Sequence, residues 1–134
     1  MTKYDEIQNG TTFGPGVPNP YGQFFTGNTL LNGLISSPDD SLSVGVVTFE
    51  PGSRNNWHIH HSGYQILLVT GGEGWYQEEG KSAISLKKGD KILTNNGIKH
   101  WHGAKNDSWF EHIAITTGTP EWLEAVTDSI YNNL

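Results

Sequence analysis

The chain has 134 residues, 14 acidic against 8 basic side chains, a formal net charge of −6 and no cysteine. That length suits one domain with a buried core, while the charge and the lack of any basic block longer than Lys87-Lys88 argue against nucleic acid as a partner. Without thiols there are no disulfides, thiolate zinc sites, iron–sulfur clusters or cysteine nucleophiles, so any metal must be held by nitrogen and oxygen. No apolar run approaches the roughly 20 residues that span a bilayer. The opening MTKYDEIQNG lacks the hydrophobic centre of a secretory signal, so a cytoplasmic protein with no membrane partner is expected.

The 17 glycines are scattered between short apolar runs, the composition of a turn-rich β protein. Residues 11–20, TTFGPGVPNP, carry three prolines and two glycines and predict an extended arm without helix. With the aromatic YGQFF that follows, this arm is more apolar than a free tail. A homo-oligomer, most simply a dimer, is expected, with the arm at its interface. LSVGVVTFE, 42–50, predicts a strand closed by the Pro51-Gly52 turn, with Gly45, Val47 and Phe49 on one face. Further strand-sized runs at 65–70 with 74–77, 82–86 and 91–94 are each bounded by glycine-containing turns, as in an antiparallel sandwich or barrel. WFEHIAITTG, from Trp109, adds a final strand in which Phe110, His112, Ala114 and Thr116 share a side. Only the tail reads as helix: Thr119 as N-cap, Pro120 and Glu121 in the first turn, then Trp122, Val126 and Ile130 at four-residue spacing, covering the outside of the barrel. No internal repeat suggests a second domain. The chain is therefore read as one unit over 1–134: an arm and first strands (1–41), a barrel (42–116) and a helical tail (117–134).

The segment WHIHHSGYQ, from Trp57 to Gln65, places three of the six histidines within four positions. On a strand, His58 and His60 project to one face and Ile59 and His61 to the other, an arrangement for two neighbouring metal ligands. Gln65 is out of phase unless Ser62-Gly63 makes a bend, after which it faces the same point. NNGIKHWHGA offers a further same-face pair, His100 and His102, from which another ligand can come. The opposite parity of His61 makes it a surface residue, and Trp57, Trp101 and Trp109 read as packing rather than a substrate platform.

The spacing from Gly52 through His58-x-His60 and Gln65 to Gly72, followed by Gly89, Asn95-x-Gly97 and His100, resembles the two cupin motifs. Gln65 stands where most cupins have Glu, Asn95 where the second motif has Pro, and Ala104 where it closes on Asn. The resemblance implies an all-β cupin fold, a double-stranded β-helix or jelly-roll barrel with an extended N-terminal arm and a short C-terminal helix. It also implies a metal held inside by His58, His60, Gln65 and His100. VTFEPGSRNNWHIH, HWHGA, EHIAI and the tail TPEWLEAVTDSIY are similar more narrowly to the small cupins that include the manganese-dependent bacterial hydroxynitrile lyases, which share the glutamine ligand. The chain differs from these in one extra residue between His60 and Gln65, and in His61-Ser62 where proline is common.

Three imidazoles and one amide would leave a divalent ion its full charge, favouring Lewis-acid chemistry on a bound hydroxyl. Manganese is implied by the resemblance; nitrogen and oxygen ligands also suit iron, nickel, cobalt and zinc. The expected activity is a lyase acting on a small hydroxyl or carbonyl compound. His112 or His102 would exchange the proton, with Gly45, Val47, Phe49, Ala114 and Thr116 lining an apolar pocket. Two other readings are a dioxygenase acting on an enolic or phenolic substrate, and a non-catalytic metabolite-binding cupin.

Overall fold

The computed structural model describes residues 10–134, so the first nine residues of the predicted arm segment lie outside the described part. Twelve strands and one short helix follow: β1 (Val17–Pro18), β2 (Phe25–Thr26), β3 (Thr29–Ser36), β4 (Leu42–Phe49), β5 (Arg54–Asn55), β6 (His58–His61), β7 (Gln65–Glu78), β8 (Ile84–Lys87), β9 (Lys91–Thr94), β10 (His100–Ala104), β11 (Phe110–Thr117), β12 (Thr119–Trp122) and α1 (Asp128–Asn132). All pairings are antiparallel.

β7 organises the barrel because it belongs to both of its sheets. Its first half pairs with β11 and β9, extending a sheet through β4 and β3 to β1, and its second half pairs with β10 and β8 in the facing sheet. The runs at 65–70 and 74–77 are thus one strand of 14 residues. The crossing lies at Gly71-Gly72, where Gly72 has φ +68° and a Cβ would fall on the carbonyl of Trp109, so only glycine fits. Opposite, the register with β11 shifts between Glu111 and His112, a bulge that takes up Thr70.

Strand alternation sorts the side chains. Val47, Phe49, Leu67, Val69, Tyr76, Leu86, Ala104 and Phe110 form the core between the sheets. A second cluster, Trp57, Trp101, Val126 and Tyr131, lies outside, under the C-terminal segment, so Trp57 and Trp101 are packing residues as expected and the tail covers the barrel's outer wall. Trp109 is likewise buried. The carboxylate of Glu111, buried on the sheet's outer face, accepts from the Thr11 backbone N–H and the Thr70 hydroxyl and so fixes the arm. Asn32 Nδ2 donates to the carbonyls of Phe13 and Gly14, and β1 pairs with β3. The arm is extended as predicted, with a single 3-10 turn at Gly22–Phe24 after it.

The tail departs from the expected helix. Thr119–Trp122 is strand β12, paired to β6 so that Trp122 sits opposite His58, and the helix begins only after Thr127, whose hydroxyl accepts from the Ile130 N–H. Two forces outweigh the helical pattern. β6 has an open edge to be satisfied, and the Trp122 ring gains a stack on Phe24, centroids 4.9 Å apart and 3° from parallel, along with contact to His58 at 4.6 Å. Pro120 is tolerated because β12 is an edge strand. Among the described residues no helix is long and apolar enough to cross a membrane.

Buried Arg54 ties this tail to the barrel. Its Nη2 donates to the Val126 carbonyl and the Asp128 carboxylate, both at 2.8 Å, and its guanidinium lies 4.4 Å from the centre of the Tyr131 ring. Arg54→Met should therefore cost roughly 2–3 kcal/mol in urea unfolding, since it strands a buried carbonyl. Asp128→Ala, which removes only the exposed partner, should cost less than about 1 kcal/mol. Equal losses would mean that the ion pair, not the carbonyl, matters.

Candidate metal centre and cavity

His58 and His60 project inward from β6, His100 and His102 from β10, and His112 from β11; all five are buried. Both pairs thus occupy the interior, as strand parity predicts. His61 points out and meets the Glu121 carboxylate at 2.7 Å. The bend expected at Ser62-Gly63 is present: Ser62 has φ +59°, and a Cβ on Gly63 would lie 2.4 Å from the Thr117 carbonyl. Beyond it Gln65 is buried, facing the histidines.

The hydrogen bonds define the ring tautomers. His58 Nδ1 donates to the Asn56 carbonyl at 2.8 Å and His100 Nδ1 donates to the Ile98 carbonyl at 3.0 Å. A carbonyl can only accept, so each proton sits on Nδ1 and each Nε2 presents a lone pair. The His100 Nε2 lone pair faces another acceptor, Gln65 Oε1, at 3.4 Å. Two acceptors so placed repel unless a cation lies between them, and ligands about 2.1 Å from one ion stand roughly 3–3.5 Å apart. Both nitrogens of His60 are buried with no hydrogen-bond partner among the described residues, a cost that an ion would relieve. The site therefore fits a divalent metal.

The tightest nitrogen cluster differs from the expected set. Ring nitrogens of His58, His100 and His102 all lie within 4.8 Å of one another and could hold a metal ion. His60 is outside that trio, its ring centre 5.2 Å from that of His58 and 5.3 Å from that of His100. Proximity and availability thus disagree. His102 Nδ1 is 3.0 Å from His112 Nε2, and Asn55 Nδ2 lies 3.2 and 3.1 Å from its two nitrogens, whereas those of His60 find no hydrogen-bond partner among the described residues. Lone-pair availability is the better guide to ligation, because a rotamer change closes an ångström more readily than an engaged nitrogen is freed.

Above the histidines opens a cavity of about 350 Å³. Gly45, Val47, Ala114 and Thr116 line it, as their parity predicts; Phe49 does not. It lies at the closed end of β4, fully buried against Phe110 and 5.4 Å from the His112 ring, where it is part of the core. Trp122, which a helix would have turned away from the site, Asn55 beside His102, and Asn19 and Tyr21, which bring the arm to the cavity's rim, line it without a signal in strand parity. Among the described residues no Asp, Glu, Lys or Arg lines this space.

A model of the cupin domain matches residues 45–116, more than half of the chain. The chain belongs to the cupin family. Over 113 residues, 81% of its length and 86% of the relative's, this cupin is 42% identical to an (R)-mandelonitrile lyase of Granulicella tundricola (strain ATCC BAA-1859 / DSM 23138 / MP5ACTX9). It superposes on a cupin-like protein from Thermotoga maritima MSB8 with a TM-score of 0.85 and 42% identity, covering 91% of this chain and 95% of the other. A predicted oxalate decarboxylase from Thermotoga maritima, 21% identical with a TM-score of 0.68 over 77% of this chain and 93% of the other, shares the fold.

Burial, reinforced by repulsion from neighbouring imidazoles, holds His58 and His102 well below the ordinary 6.5; burial lowers His60 as well. Burial also brings His100 to about 4 and His112 to about 3. Below pH 6.5 the unfolded cupin takes up protons that the folded one refuses, so stability is full above that value and falls as the pH drops towards 4. Urea midpoints of the metal-free cupin should decline over this window, each histidine contributing up to about 1.4 kcal/mol per pH unit. A flat profile from pH 7 to 4 would contradict neutral, buried imidazoles.

Proposed function

We propose that this cupin is a metal-dependent lyase acting on a small, uncharged hydroxyl or carbonyl compound, in the manner of a hydroxynitrile lyase. The observation that carries the reading is a cradle of three neutral imidazoles and one amide with a separate imidazole pair beside it, under a cavity that no Asp, Glu, Lys or Arg lines among the described residues. The mandelonitrile lyase relative supports the same reading. His58, His60, His100 and Gln65 would hold the ion, manganese in the first instance. When bound, a divalent metal supplies a Lewis acid for the substrate's oxygen.

The chain's own residues supply the rest. His112 is favoured over His102 as the base because its Nδ1 is buried with no partner among the described residues; with that atom unprotonated, His112 Nε2–H donates to His102 Nδ1 and so occupies the one lone pair of the His102 ring. In cyanohydrin cleavage His112 accepts the hydroxyl proton. The electrons of the O–H bond form the carbonyl, those of the C–C bond leave with cyanide, and the proton returns to cyanide to give hydrogen cyanide. An imidazolium formed alone in that pocket is disfavoured, as the lowered basicity of His112 records. Formed beside the departing anion it is compensated, which couples proton acceptance to bond cleavage. The His102 ring, 3.0 Å from His112 Nε2, holds the imidazole in place. Val47, Ala114 and Trp122 offer an apolar bed for the organic group, whereas a carboxylate substrate would meet no Lys or Arg among the described residues.

The purified cupin should carry about one divalent ion per chain and release benzaldehyde from mandelonitrile equally under nitrogen and air. His58→Ala, His60→Ala and His100→Ala should each largely abolish metal, while His112→Ala should keep it and lose roughly 10²–10⁴-fold in rate. No benzaldehyde above the buffer rate, with oxygen consumed on an enolic or phenolic substrate, would replace the lyase by a dioxygenase.

A further inference from the structure

Gln65 can serve as a ligand only by its oxygen, yet the two ends of a primary amide are nearly the same size. A half-turn of the side chain would present Nε2–H, a donor that no cation accepts. Something must choose between the two orientations. In the barrel the choice falls to the residue directly across the ladder: Thr116 on β11 is the register partner of Gln65, and Gln65 Nε2 donates to Thr116 Oγ1 at 3.0 Å. With the amide nitrogen so held, Oε1 is the end that faces His100 Nε2.

We infer that Thr116 is the positioning residue that selects the metal-facing oxygen of Gln65, a role that rests on the metal reading above. The threonine hydroxyl suits this task because it can accept from the amide while its own proton remains free for the cavity that Thr116 lines. A valine there would keep the shape and lose the acceptor, stranding a buried N–H and letting the amide turn over. The need exists only because the ligand is an amide. A carboxylate at position 65 presents oxygen whichever way it turns.

The test is Mn(II) affinity by titration calorimetry on the metal-free full-length cupin. Thr116→Val should weaken Mn(II) binding by about 10-fold or more, within the range seen for partners that orient metal ligands, and Thr116→Ser should restore it. In a Gln65→Glu background the same Thr116→Val change should alter affinity by no more than about twofold. A general packing defect would appear equally in both backgrounds, so equal losses overturn the inference. Unchanged Mn(II) affinity in the single Thr116→Val variant overturns it too. If the unaltered cupin takes up no Mn(II), the metal reading itself falls, and this inference with it.

Discussion

The site depends on an electrostatic conflict left unresolved by the polypeptide: lone pairs on His100 and Gln65 converge at 3.4 Å, beside His60, whose buried ring nitrogens make no hydrogen bond of good geometry among the described residues. Buried polar groups normally find partners within the fold. Here the backbone carbonyls of Asn56 and Ile98 take the Nδ1 protons and direct the remaining lone pairs inward. Main chain therefore sets the polarity of the interior. A cradle so specified is poorly satisfied by water alone and well satisfied by a cation.

That conflict is sustained by architecture. β7 carries Gln65 at its entrance, crosses between the sheets at a point only glycine can occupy, and then supplies Tyr76, paired to His102 on β10. β11 leans on the first half of β7 and holds His112 and Thr116, while β6 pairs His58 to His100. The interior groups thus come from four strands whose spacing is fixed by ladders rather than loops. Loss of the bulged residue Thr70 would reverse the alternation of the first half of β7 against the unbroken β11–β4 ladder and turn Gln65 outwards.

Most of this plan was legible because alternation on a strand is a strong rule. The two i, i+2 histidine pairs, the inward set Gly45, Val47, Ala114 and Thr116, and the outward His61 follow from parity alone. Phe49 shares that parity but not the cavity, since parity gives a face and says nothing of depth. Trp122 was misplaced because a proline after threonine and four-residue apolar spacing describe a helix start and an edge strand equally well. Pairing to β6 decided between them, and pairing is non-local. The engagement of His102 by Asn55 and His112 could not be read either, as it depends on β5 meeting β10 from 47 residues away and on the facing of β10 and β11 across the barrel.

The rim is made differently from the floor. Asn19 and Tyr21 reach the cavity from the arm, which is moored by Glu111, Asn32 and the two-residue ladder of β1. The reactive groups stand on central strands, where most exchanges would disturb the core. Chemistry and selectivity therefore sit on parts of the chain with unequal freedom to vary: the entrance can be recut by substitutions in a short peripheral segment while the imidazole array below stays fixed. A lineage with this barrel could shift the compounds it admits long before it altered what it does to them.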